Sequence, residues 1–124
     1  MSVSCEQFIG YTLTLKEKLT HEDYKFFDEF ESKHPEYRKN REAGQVALVV
    51  DGMNGEYARL IYIEKRISNC SYDGDDYYNI LSNEKPNYDI YSAIAQAYEQ
   101  MYGTEFGFVN ANKIEHAMWF HYSK

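Results

Sequence analysis

Between residues 72 and 102, tyrosines and carboxylates recur together. Tyr72, Tyr77, Tyr78, Tyr88, Tyr91, Tyr98 and Tyr102 are interleaved with Asp73, Asp75, Asp76, Glu84, Asp89 and Glu99. Tyrosine joins a large apolar ring to a polar tip and is enriched where interfaces concentrate their binding energy. Carboxylates beside it draw in a basic partner and speed encounter. The pattern describes a protein-recognition surface, with Tyr72, Asp73, Asp75, Asp76, Tyr77, Tyr78, Tyr88 and Tyr91 as its candidate interface residues. The plainer alternative is that about half of these tyrosines pack a helix onto a sheet while the acids solvate a loop.

Other chemistries find less in the sequence. His21, His34, His116 and His121 are scattered, with no helical H-x-x-x-H and no Cys/His spacing, so no zinc site is expected. Asp73-Gly74-Asp75-Asp76 begins a partial calcium-loop match. Tyr78 then stands where that loop needs a glycine for its sharp turn, and Tyr77 where it needs an oxygen ligand. No metal or other cofactor is expected. G-x-S-x-G, the P-loop and G-x-G-x-x-G are all missing, and the many carboxylates fall on surfaces expected to be solvated, where nothing raises a pKa. No catalytic residue is assigned. Tyr57, Tyr62, Trp119 and Phe120 could offer aromatic rings for RNA stacking, with Arg59, Lys65 and Arg66 as charge, but the stretch YARLIYIEKRI lacks the glycine-aromatic RNA signature.

Charge sharpens this. The 124 residues hold 20 acids and 13 bases, a net charge of −7, whereas nucleic-acid binders carry a basic stripe. Direct nucleic-acid binding is therefore disfavoured. The excess is local: residues 67–112 hold seven acids and Lys85 as the single base. Cys5 and Cys70 are the only cysteines, too few for a disulfide framework, and read as reduced thiols. No apolar run is long enough to span a bilayer, and the first 20 residues lack the basic and apolar regions of a secretory signal. The expectation is a cytoplasmic protein, 1–124 forming one domain.

The elements that must position these residues follow from periodicity. Phe8 to Leu19 alternates apolar and polar residues, as a half-buried strand does. Thr20 opens a helix through a capping box with Asp23, and Pro35 ends it near Lys33 or His34. Residues 36–44 form a polar connector. Val46 to Val50 is an unbroken apolar run, read as a strand covered on both faces and central in its sheet. A turn at 51–55 leads to a strand over Tyr57 to Ile67, and 68–85 forms a long acidic loop. Asn87 or Asp89 caps a second helix to Tyr102, closed by Gly103, with Ile90, Ile94, Ala97 and Met101 as its core stripe. Phe106–Val109 and Ile114–Tyr122 read as β, with a turn at 110–112.

The fold class is α+β, in the order β-α-β-β-α-β, with an antiparallel sheet and two helices packed on one face. Ferredoxin-like is the nearest architecture, by element order alone. The functional expectation is a non-enzymatic, acidic, tyrosine-rich protein-binding module for a partner with a basic surface. A nucleic-acid-handling protein fits that description, and the chain would then act as an inhibitor or immunity-type antagonist of the kind phages and mobile elements carry. The competing expectation is a homodimeric small-molecule-binding domain with an aromatic-lined pocket. No membrane partner is expected.

Overall fold

In the computed structural model of the protein, the described residues are 4–51, 57–67 and 85–123, with backbone alone for 4–6, 51, 67 and 119–123. The elements are β1 (Ser4–Lys16), α1 (His21–Lys33), α2 (Glu36–Lys39), β2 (Val46–Asp51), β3 (Tyr57–Ile67), α3 (Tyr88–Tyr102), α4 (Gly107–Ala111) and β4 (Glu115–Ser123). The strands form one sheet in the order β2-β3-β1-β4, and every neighbouring pair is antiparallel.

Local chemistry sets the helix ends. The Thr20 hydroxyl accepts from the Asp23 N–H at 3.2 Å, and the Asp23 carboxylate accepts from the Thr20 N–H at 2.9 Å. Each side chain satisfies an amide that the first turn leaves unpaired. Those bonds hold the Asp23 carboxyl below its ordinary range. At α3, Asn87 Oδ1 accepts from the Ile90 N–H at 2.9 Å, and Gly103 closes the helix by donating its N–H to the Glu99 carbonyl at 2.8 Å.

Both faces of the sheet are buried, by different means. On one, Tyr11, Leu13, Val46, Leu48, Ala58 and Leu60 pack against Phe27 and Phe30 of α1 and Ile90, Ile94, Ala97 and Met101 of α3. Each Val, Leu, Ile, Phe or Met among them contributes about 1.5–3 kcal/mol by leaving water. On the other, Phe8, Ala47, Val49, Tyr57, Ile61 and Ile63 form a second cluster. The two edge strands, β2 and β4, have Cα atoms within 8 Å of each other although they are not paired, so the sheet is strongly curved. A bulge in the β1–β3 ladder places Ile9 opposite Lys65 but Gly10 opposite Ile63. A Cβ on Gly10 would lie 1.9 Å from the Tyr62 carbonyl oxygen, so only glycine lets the two backbones approach this closely.

Four expectations need correction. The first strand runs from Ser4 to Lys16, with Leu19 tucked into the core beyond it. The polar connector contains the short helix α2, whose Tyr37 is buried. Residues 106–109 are not β: Phe106 caps α4, which covers Gly107–Ala111. The run Val46–Val50 is not central but an edge strand. Its two-sided burial holds, with Val46 and Leu48 in the helix-side cluster and Ala47 and Val49 in the other. An apolar run reports covered faces, not position within a sheet. The outer edge is partly shielded, since Asn40 Nδ2 donates to the Val46 carbonyl at 2.8 Å. The expected turn at 51–55 and the acidic loop fall, apart from Asp51 and Lys85, outside the described residues, as do Cys70 and the side chain of Cys5.

Candidate functional site

Of the candidate interface residues, Tyr72, Asp73, Asp75, Asp76, Tyr77 and Tyr78 lie outside the described residues. Tyr88 and Tyr91 stand on the first turn of α3, brought there by the Asn87 cap, and the fold treats them differently. Tyr88 is 79% exposed and Asp89 beside it is also exposed. Tyr91 is half-buried, its ring edge-on to Phe106 with centroids 5.5 Å apart. One tyrosine is offered to solvent and the other holds α4 against α3.

That packing creates a surface the sequence did not disclose. Phe106 is 2% exposed and is gripped by Tyr91 and Tyr98. Gly107 follows with a φ of 71°, a left-handed turn that glycine adopts without a Cβ penalty. The chain turns outward there, leaving Phe108 87% exposed and Val109 72% exposed. Asn110 Nδ2 donates to the Phe106 carbonyl at 2.7 Å, and Lys85 Nζ to Asn112 Oδ1 at 3.3 Å, so the far end of α4 is tied to the segment that leads into Tyr88. Single exposed apolar residues are ordinary, but Phe108 and Val109 are two adjacent ones on a braced turn. Phe-Gly-Phe-Val reads as alternating β residues. The usable signal was the glycine between two aromatics followed by Asn110-Ala111-Asn112, a pattern that ends structure quickly.

Among the described residues, two grooves flank the helices, and a third, holding Glu17, Lys113 and Glu115, adjoins the second of them. The first, about 620 Å³, lies along α1 and α2 and is lined by Asp28, Glu31, Ser32, Arg38, Lys39 and Arg41 among others. Its charges offset one another: Arg38 lies 3.9 Å from Glu31, whose carboxyl burial pushes up while Arg38 pulls it down. The second, about 280 Å³, lies between the end of β1, the second half of α3 and α4, and is lined by Thr14, Lys16, Tyr98, Tyr102, Asn110 and Lys113 with two leucines. Here cations have no carboxylate among them. Burial, and to a lesser degree Tyr98 and Asp23, push the Tyr102 phenol up to about 12.

Two further polar side chains of the sheet are engaged with one another. His116 stacks on Tyr11 with centroids 4.7 Å apart, and its Nε2 meets Glu64 Oε1 across β1. Tyr57, one of the rings a stacking platform would need, is 7% exposed with the Arg59 guanidinium 3.5 Å from its centroid, and Tyr62 packs against the helix-side core. Among the described residues no three His, Cys, Asp or Glu side chains gather as a metal ion would require, and no helix is long and apolar enough to cross a membrane. No protein-family model, curated protein or solved structure matches the chain.

Proposed function

We propose that this chain is a non-catalytic protein-binding module that docks through the α3–α4 pair onto a protein with a basic surface. The exposure of Phe108 and Val109 carries this reading. Folding does not place them there for stability, because each leaves its apolar area in water. Docking would recover that area. Tyr88 and Asp89 are exposed on the neighbouring helix, and seven acids against one base over residues 67–112 supply the steering charge. A nucleic-acid-handling protein, basic where it meets phosphates, is the partner class this charge fits best, and the chain would act on it as an antagonist by occupying that surface.

The finer architecture belongs to the same proposal. We infer a ferredoxin-like arrangement with one short helix added after each long one. Supporting it are the two longest strands, β1 and β3, side by side at the centre of the sheet, and α1 and α3 contributing to a single core with it.

The test is parallel affinity capture from a lysate with the wild-type chain and with a Phe108→Ser/Val109→Ser variant. The expected result is a basic protein retained by the wild type, lost with the variant, and released as salt rises toward about 1 M, where the Debye length falls to about 3 Å. The same basic protein retained equally by both chains, or no basic protein retained by either, would remove the reading.

A further inference from the structure

The groove at the end of β1 brings together groups far apart in sequence. Lys16 comes from β1, Tyr98 and Tyr102 from α3, Asn110 from α4, and Lys113 from the turn into β4. Neither lysine makes an ion pair with a carboxylate among the described residues. In a chain with 20 acids and 13 bases, a groove with two cations and no acidic lining residue runs against the composition. We propose that this groove binds a small organic anion, its carboxylate or phosphate seated between the ammonium groups of Lys16 and Lys113 and hydrogen-bonded by the tyrosine hydroxyls.

The rings that would supply those hydroxyls are held in place. Tyr102 stacks on Phe26 with centroids 5.3 Å apart, and Tyr98 lies 4.7 Å from Tyr102 and 5.2 Å from Phe106. A site whose donors are already fixed loses little ordering entropy on binding. The Tyr102 phenol keeps its proton far above neutral pH and so remains a donor. Asn110 has its Nδ2 committed to the Phe106 carbonyl, which turns its oxygen into an acceptor for a ligand hydroxyl or amine. The acids of the neighbourhood define the site's limits. Asp23 acts on both Lys16 and Tyr102 through space, and Glu17 and Glu115 line the adjoining groove together with Lys113. These acids oppose an anion from outside the groove lining, so the two lysines are the groups that must hold it. This site is separate from the α4 patch, and either can fail without the other.

The rival role for the lysines is to offset the negative end of α3, whose last turn carries no basic residue. Titration of the ¹⁵N-labelled chain with inorganic phosphate and, separately, with acetate distinguishes the two. Anion binding gives saturable shifts confined to residues 13–16, 98–102 and 110–113 with at least one of the two probes, and the tighter probe names the ligand class. Lys16→Gln/Lys113→Gln should weaken that binding by about tenfold or more, and Lys16→Arg/Lys113→Arg should retain most of it. Tyr102→Phe, which keeps the ring and loses only the hydroxyl, should weaken binding in a chain that melts close to the wild type, and it stands in if the glutamine variant does not fold. Absence of saturable shifts with both anions, or unchanged affinity in the glutamine and phenylalanine variants, overturns the proposal. A fall in melting temperature without any anion-dependent effect assigns the lysines to the helix end instead.

Discussion

The helix pair α1–α2 and the helix pair α3–α4 flank the same core, yet they dispose of their aromatic and charged side chains in opposite ways. In the first pair, Phe27, Phe30 and Tyr37 are buried, and the Tyr37 hydroxyl donates to Gln100 Oε1 on α3. Only Phe26, at 38%, passes into the exposed range there. The groove beside it mixes acids with bases. In the second pair, Tyr88, Phe108 and Val109 stand in solvent and the groove holds lysines without acids. The first pair is consistent with stability alone. The second leaves apolar area and positive charge unsatisfied, which a stable fold does not need and a binding surface does. The proposed docking surface lies on the pair that the fold leaves uncompensated.

The most severe way to break this comparison is to remove the sheet both pairs need. Leu48 is 1% exposed on the helix-side face of β2. Leu48→Asp would bury a carboxylate without a partner, so the chain is expected to lose its cooperative unfolding transition, measured by circular dichroism in urea. A soluble variant that still unfolds cooperatively would show that the edge strand can peel away and that the helix pairs do not depend on it.

Next in size is the direct contrast between two phenylalanines. Phe30→Ala should cost about 3–5 kcal/mol, as large core truncations do. Phe108→Ala should stay within about 0.5 kcal/mol, as exposed substitutions do. Chemical denaturation of both variants reads the difference, and comparable losses would mean that Phe108 is structural.

Helix caps sharpen the comparison by being equal. Thr20→Ala and Asn87→Ala should each cost about 1 kcal/mol, because a cap acts on its own first turn whatever the helix packs against. A cost of only a few tenths at Asn87 would reveal a first turn of α3 that is already loose where it presents Tyr88.

The smallest expected effect is alkaline. The folded chain holds the Tyr102 proton up to about 12, against 10.0 for the ordinary phenol. The folded state therefore binds more protons than the unfolded state between those values. The stability tied to this group is intact below pH 10 and is lost as pH rises toward 12. Tyr102→Phe should lose less stability than the wild type over that window, measured by melting temperature at stepped pH. Parallel slopes would place the phenol in ordinary solvent.

Some of this was legible in the residues because it depends on near neighbours. Thr20 and Asp23 are three apart, so their reciprocal bonds form in any context that starts a helix there. Asn87, Gly103 and the stripe Ile90, Ile94, Ala97, Met101 mark α3 for the same reason, and alternation marks β3 as Tyr57–Ile67. The α+β class with an antiparallel sheet follows from those elements and their order. Tertiary structure decided the rest. Whether Val46–Val50 is central or at an edge depends on which strands pair, and apolar residues do not encode that. Phe106 and Phe108 are the same residue type two positions apart, and one is buried while the other is exposed because Tyr91 and Tyr98 leave room for one ring and Gly107 turns the chain away. The groove's polar groups come from positions 16, 98, 102, 110 and 113. A sequence records each of those side chains, but only the closure of β1 against β4 and of α4 against α3 makes them neighbours.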